Sequence, residues 1–324
     1  MKTLVEAVNE TLHQELERDP RVFVMGQDVG ALGGVFRATA GLRDRFGPNR
    51  CFDTPLAEAG IAGTAVGLAL AGWRPVCEMQ FDAFSYPALD QVITHIGRYR
   101  ARSGGSASMS IVVRMPYGGG VRAPELHQDS PEALYAHAAG VKVAIPSTPA
   151  DAKGLLTAAI RDPDPVVVLE PKRLYRAPRG EVPEGEWVVP LGEARVAAQG
   201  DDVTLIAYGA MVGVALDARA ALSEDGTSAE VVDLRSLTPL DEDTVLASVG
   251  KTGRAVIVQE AARTGGFAAE VAAVLADKAI FDLRGPVVRV TGYDVPYPPF
   301  DIEDAYLPSA RRVAAAARRT MELD

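Results

Sequence analysis

Apolar residues at Leu4, Val5, Val8, Leu12 and Leu16 recur at helical spacing and stop at Arg18-Asp19-Pro20, so the chain opens on an amphipathic helix with one core-facing stripe. Proline ends it. The run Val22-Phe23-Val24-Met25-Gly26 that follows has the length and unbroken apolar character of a buried strand. Strand-like runs recur at residues 75–81, 110–115, 141–146 and 166–170, with helical patterns at 88–102 and 150–162 between them. Alternation of this kind predicts a parallel sheet, because a parallel connection needs a crossover long enough to hold a helix. Residues 176–186 are rich in Pro, Gly and charge and carry no periodicity. Beyond them 203–208, 229–234, 254–259 and 287–291 read as strands, and 212–224, 241–249, 266–279 and a segment from Pro308 as helices. The pattern predicts an α/β chain of two parallel-sheet domains, residues 1–180 and 195–324, with a linker at 181–194.

One segment departs from ordinary amphipathic patterning. The polar strand end Asp53-Thr54-Pro55-Leu56-Ala57 delivers Glu58 to the front of residues 59–72, which carry no charge at all. A bilayer span needs about 20 such residues, so this segment reads as a helix buried between protein layers, approached closely at its glycines. A glutamate at a helix start gains roughly 0.3–1 kcal/mol from the dipole. The alternative is a carboxylate committed to a bound heteroatom, since apolar surroundings make a carboxylate a strong hydrogen-bond partner.

Composition narrows the class. A length of 324 residues fits two domains, and a net charge of −10 argues against general binding to nucleic acid or to an anionic membrane, both of which need basic patches. Cys51 and Cys77 lie in apolar strand-like surroundings, so they read as reduced, buried thiols, and the N-terminus enters its helix without a signal-peptide core. A cytoplasmic protein is predicted. Phosphate signatures are absent: Gly209 is followed by no glycine-rich fingerprint, and Gly118-Gly119-Gly120 lacks the Gly-Lys-Ser/Thr ending of a P-loop. The triple glycine reads as a flexible loop, or as backbone approached by a ligand. Of the histidines, His13, His95 and His137 sit in helical patterns. His127 instead lies in the long polar loop 115–131 after a strand, where parallel sheets place their chemistry and where an imidazole can exchange protons near neutral pH.

These residues assemble into a recognisable order. Asp53-Thr54-Pro55-Leu56-Ala57-Glu58, Glu78-Met79-Gln80-Phe81-Asp82-Ala83-Phe84, Leu89-Asp90-Gln91-Val92, Arg114-Met115-Pro116, His127, Ser130-Pro131-Glu132 and Leu169-Glu170-Pro171-Lys172-Arg173-Leu174-Tyr175 closely resemble the beta subunit of the thiamine diphosphate-dependent 2-oxo acid dehydrogenases. The resemblance extends into the second domain through Val231-Val232-Asp233-Leu234-Arg235-Ser236-Leu237-Thr238-Pro239-Leu240-Asp241. It implies a pyrimidine-binding domain followed by a transketolase C-terminal-like domain. Glu58 would hydrogen-bond the cofactor's aminopyrimidine and favour the imino tautomer that removes the thiazolium proton. Phe84 would stack on the pyrimidine, and Leu56, Gln80 and Gln27 would line its pocket. His127 would supply a proton to the sulfur that leaves the lipoyl ring. Two departures stand out: Gln128-Asp129 replaces the family's usual Ser-Gln, and Gln27 replaces a usual glutamate.

No Gly-Asp-Gly segment with a later Asn is present to anchor Mg²⁺ and diphosphate. The resemblance therefore implies an alpha subunit that supplies this half, a heterotetramer of two alpha and two beta chains, and a second domain facing a lipoyl-bearing acyltransferase core. It also implies a potassium ion on main-chain oxygens of Ile111, Ala159, Ile160, Asp162 and Asp164. The segments at 84–91 and 170–176 look nearer to the branched-chain type and to certain bacterial pyruvate enzymes than to the mitochondrial pyruvate type, and the substrate expected from that resemblance is a branched-chain 2-oxo acid, with pyruvate as the alternative. A single-chain transketolase-like enzyme and a non-catalytic scaffold are the rival readings. The missing Mg²⁺ residues count against the first, and intact Glu58, Phe84 and His127 against the second.

Overall fold

The first helix, Leu4–Arg18, begins with Thr3 and Glu6 in a capping box and turns Leu4, Val8, Leu12 and Leu16 inward, as its spacing requires. The computed structural model describes residues 1–176 and 178–322; Ala177 of the compositional break, the last two residues of the second domain's expected span and the side chain of Phe300 lie outside the described residues. Its strands are β1 (Val22–Gly26), β2 (Cys51–Asp53), β3 (Arg74–Glu78), β4 (Val112–Tyr117), β5 (Lys142–Ala144) and β6 (Val166–Pro171), then β7 (Arg195–Ala198), β8 (Val203–Ala207), β9 (Ala229–Asp233), β10 (Ser236–Thr238), β11 (Ala255–Val258) and β12 (Val288–Val290).

Two sheets result, ordered β10-β5-β6-β4-β3-β1-β2 and β12-β11-β8-β9-β7. Both are parallel except at one edge, where β10 runs antiparallel to β5 and β7 antiparallel to β9. The expectation of purely parallel sheets is corrected at those edges. β10 also belongs by sequence to the second domain yet completes the first sheet, with Ser236 opposite Ala144 and Thr238 opposite Val143. Residues 181–194 contain no helix or strand, and they lie along the helix Pro149–Arg161: Lys153 Nζ donates to the Pro183 carbonyl at 2.8 Å and the Val189 N–H to Gly154 at 3.1 Å.

Strand alternation divides the first core. Phe23 and Met25 face one side of β1, packed with Ile61, Ala65 and Met115, whereas Val22 and Val24 face the other side, against Leu4, Val8, Leu12 and Leu156. Burial on both faces explains why these strands read as unbroken apolar runs. The first of these clusters continues through Tyr117 and Leu169 into Ile206, Tyr208, Val232 and Leu234 of the second domain. Cys51 and Cys77 are free and buried, and burial pushes both thiols up to about 12.

Two helices differ from their expected form. The helix expected at 88–102 breaks into Tyr86–Gln91, a wider π turn at Val92–Ile96 and Tyr99–Arg102. The apolar helix forms at Glu58–Leu70, but only Ile61, Ala62, Ala65 and Ala69 are buried; Ala59, Gly60, Thr64, Gly67 and Leu70 form an exposed face. Among the described residues no helix is long and apolar enough to cross a membrane.

Candidate active site

Because β1, β2, β3, β4 and β6 are mutually parallel, their carboxyl ends share one edge of the first sheet. Gln27 follows β1, Glu58 starts the helix after β2, Gln80 and Phe84 follow β3, and the His127 loop follows β4. All the sequence-predicted side chains except the potassium set therefore lie at this edge. Beneath it, a buried ion cluster ties three strand ends together. Arg114 Nε and Nη2 donate to Glu170 at 2.7 Å each, Nη1 donates to Glu78, and the Tyr175 hydroxyl donates to Glu170 at 2.6 Å. Glu78, Arg114 and Glu170, all part of the sequence resemblance, thus act here as scaffold. Asp82 and Lys172 form a second buried pair; burial pushes Asp82 up to about 6, against the pull of the ammonium.

Glu58 is half-buried in the first turn of its helix and accepts no hydrogen bond from any described residue. Its helix packs on the turn Ala83–Ser85, which carries Phe84. Phe81, Phe84 and His127 form an edge-to-face trio, with ring centroids 5.4 Å apart for Phe81–Phe84, 4.3 Å for Phe81–His127 and 4.9 Å for Phe84–His127. His127 Nδ1 lies 2.8 Å from the Glu125 carbonyl, which can only accept, so Nδ1 carries a hydrogen and Nε2 is left for exchange. Gln80 donates from Nε2 to Asp28 at 2.7 Å, and the Gln27 Oε1 atom is buried without a partner. Leu56 is 66% exposed at the same edge.

An unpaired carboxylate, an orphaned amide oxygen and half-buried aromatic rings fit an aminopyrimidine, which offers N–H donors and a π-face. The diphosphate end finds no such fit in this chain: no described group of three or more His, Cys, Asp or Glu residues can hold a metal. Four of the five main-chain oxygens expected to hold potassium, those of Ile111, Ala159, Ile160 and Asp162, already accept a hydrogen bond. Arg74 Nη1 donates to the Ile160 and Asp162 carbonyls at 2.9 and 3.5 Å, Lys142 Nζ bonds both Asp162 carboxylate oxygens, and the Ile111 carbonyl accepts from Val166. Arg74 and Lys142 thus share that corner with the expected oxygens, each of which keeps a second lone pair.

Sequence reading missed the acidic partners beneath the loop. Burial pushes Glu132 up to about 7, although the Tyr208 hydroxyl donates to its Oε1 at 2.9 Å, and its Oε2 is buried without a partner. The ordinary glutamate value is 4.5, so between about 4.5 and 7 the folded chain holds a proton that the unfolded chain has lost. Stability contributed by this group therefore falls as pH rises through that window and is level above it. Glu132→Gln, which mimics the neutral acid, is expected to stabilise the chain at pH 8 by roughly 1–3 kcal/mol and to leave pH 4 stability nearly unchanged. Denaturant melts of both proteins at the two pH values check this, and an equal shift at both would refute it.

Comparison with known proteins agrees with the two-domain α/β fold. Residues 1–178 match the family model for the transketolase pyrimidine binding domain, and residues 192–313 that for the transketolase C-terminal domain. The chain is 52% identical to the pyruvate dehydrogenase E1 component subunit beta of Bacillus subtilis over 320 residues, covering 99% of this chain and 98% of that one. Its counterparts in Staphylococcus epidermidis and Staphylococcus aureus are 51% and 49% identical over the same shares. Among solved structures, a split gene transketolase described as an inactive beta4 tetramer superposes with a TM-score of 0.81 at 25% identity, covering 99% of this chain and 98% of that one. With both domains matched and half of all residues shared end to end, the chain belongs to the beta-subunit family of the thiamine diphosphate-dependent 2-oxo acid dehydrogenases.

Proposed function

We propose that this chain is the beta subunit of a pyruvate-type 2-oxo acid dehydrogenase, that it supplies the pyrimidine half of a cofactor site, and that an alpha subunit completes the site with the Mg²⁺ and diphosphate anchor. The observation that carries this reading is Glu58, a half-buried carboxylate without a protein partner, on a helix that packs against the turn bearing Phe84. Bound thiamine diphosphate supplies the carbon nucleophile and the electron sink for decarboxylation. In that setting Glu58 holds a proton at a pyrimidine ring nitrogen, and Phe84 presents its ring to the pyrimidine. Gln27 and Gln80 offer amide groups to the rest of that ring, and Leu56 contributes apolar wall. When Nε2 is protonated as well as Nδ1, His127 would give that Nε2 proton to the sulfur released as the lipoyl S–S bond breaks and the other sulfur takes the acyl group. That lipoyl group belongs to an acyltransferase partner, which the second domain faces.

The substrate reading changes with the comparisons. Relatives named for pyruvate share 49–52% of their residues with this chain, which favours pyruvate over the branched-chain acids that the 84–91 and 170–176 segments suggest. An apolar pocket discriminates one methylene by only ~1–3 kcal/mol, roughly 10–200-fold. Reconstituted with its alpha subunit, the chain should therefore show at least a tenfold higher kcat/KM on pyruvate than on each of the three branched-chain 2-oxo acids. The reverse order would return the substrate to the branched-chain class and leave the family unchanged.

A further inference from the structure

The triple glycine finds its anions inside the protein. Gly118 and Gly120 have φ of +77° and +82°, while Gly119 between them does not have positive φ. That alternation turns successive N–H groups toward one side, a concavity that elsewhere binds phosphate or other anions. Here carboxylates of the second domain fill it. The Gly119 N–H donates to Glu260; the Gly120 N–H donates to Glu303 Oε1, and the Arg122 N–H to Glu303 Oε2 at 2.8 Å. Tyr297 adds its hydroxyl to Glu303 at 3.0 Å, and a Cβ at Gly119 would collide with that hydroxyl. Both glutamates are buried, so these are charge-assisted bonds in a dry setting, roughly twice as strong as neutral ones.

The same loop ends in His127. Its neck is closed by the Gly118 N–H on the Asp129 carbonyl at 2.9 Å, and Asp129 in turn accepts from the Tyr86 hydroxyl at 2.6 Å. Inside it, the Ala123 N–H donates to Gln128 Oε1 at 3.0 Å and the His127 N–H to the Pro124 carbonyl at 3.2 Å. Gln128 then reaches from Nε2 to the Pro298 carbonyl of the second domain at 3.4 Å. The second domain thus grips the loop at its glycine end with two carboxylates and at its histidine end with one carbonyl.

We propose that Glu260 and Glu303 are positioning residues for acyl transfer: by holding the N–H groups of 119, 120 and 122 they fix the loop that sets the reach of His127 Nε2. This rests on the reading of His127 as the proton donor to the departing sulfur. Glutamine at 303 keeps a single acceptor oxygen where two N–H groups converge, so one bond must be lost.

The test uses the assembled alpha–beta enzyme and three variants, Glu303→Gln, Glu260→Ala and His127→Ala. Trypsin cleavage after Arg122 reports loop release without any activity, and it should be at least tenfold faster in each variant at 303 and 260. The lipoyl-dependent rate should fall about tenfold in Glu303→Gln while the rate with an artificial electron acceptor stays within twofold. Added to His127→Ala, the same substitution should change the lipoyl-dependent rate by less than twofold, because the group it positions is gone. An equal loss in both backgrounds, or unchanged cleavage, would overturn the proposal. If His127→Ala alone slows both assays alike, the reading of His127 fails; the clamp then stands or falls on the cleavage rate alone. Glu260→Ala gives up only the Gly119 bond, so the test survives misfolding of the other variant.

Discussion

Replacing Glu58 by glutamine is expected to slow proton–deuterium exchange at the thiazolium carbon of the assembled enzyme by about 10²-fold or more, with the fold intact. General acid–base groups contribute about 10²–10⁴-fold, and the role proposed for this one is a single proton at the pyrimidine. Structurally the change is mild. Glu58 accepts no hydrogen bond from any described residue and sits half-buried at a helix start, so an isosteric amide leaves every internal contact in place. Loss of the charge at that first turn costs at most ~0.3–1 kcal/mol. Circular dichroism and melting should therefore be unchanged while exchange collapses. Exchange at the wild-type rate in the variant would remove Glu58 from the proposed role.

A second large effect concerns the chain by itself. Purified without an alpha subunit, it should bind thiamine diphosphate at least 100-fold more weakly than the reconstituted pair and should decarboxylate nothing. Diphosphate needs a divalent cation to neutralise it, and no described group of three or more His, Cys, Asp or Glu residues can hold a metal. The helix Glu58–Leu70 also leaves Ala59, Gly60, Thr64, Gly67 and Leu70 exposed, so the half-buried carboxylate borders open water rather than the dry pocket its proposed chemistry requires. Calorimetric titration with cofactor and Mg²⁺, with and without the partner, measures the difference. Tight binding and turnover by the lone chain would establish a self-sufficient enzyme.

Local pattern made much of this legible. Unbroken apolar runs marked the central parallel strands because those strands are buried on both faces, and the capping box and Pro20 framed the first helix. Short edge strands were not visible: β7 and β10 span four and three residues, too few to show a period, and β10 pairs with a segment some ninety positions earlier. For the same reason the glycine run could not be understood from its neighbours, since Glu260 and Glu303 lie far along the chain. The apolar helix after Glu58 misled in an informative way. Its sequence predicts burial, whereas in the single chain one face remains exposed, which the proposed alpha subunit would cover. Glu78, Arg114 and Glu170 belonged to the family pattern, yet only the parallel register of β3, β4 and β6 reveals them as one buried ion cluster.

The crossing of β10 into the first sheet has a consequence for how the chain can be divided. Family boundaries fall between residues 178 and 192, but a cut there leaves the β5 edge without its neighbour, and the cluster that joins Tyr117 and Leu169 to Tyr208 and Val232 is split open. An unpaired strand edge beside exposed apolar surface invites aggregation. The two inherited modules are thus one cooperative unit in folding: fragments made at the module boundary would have to be co-expressed and allowed to reassociate, and neither half could be exchanged with another protein's unless residues 236–238 travelled with the first.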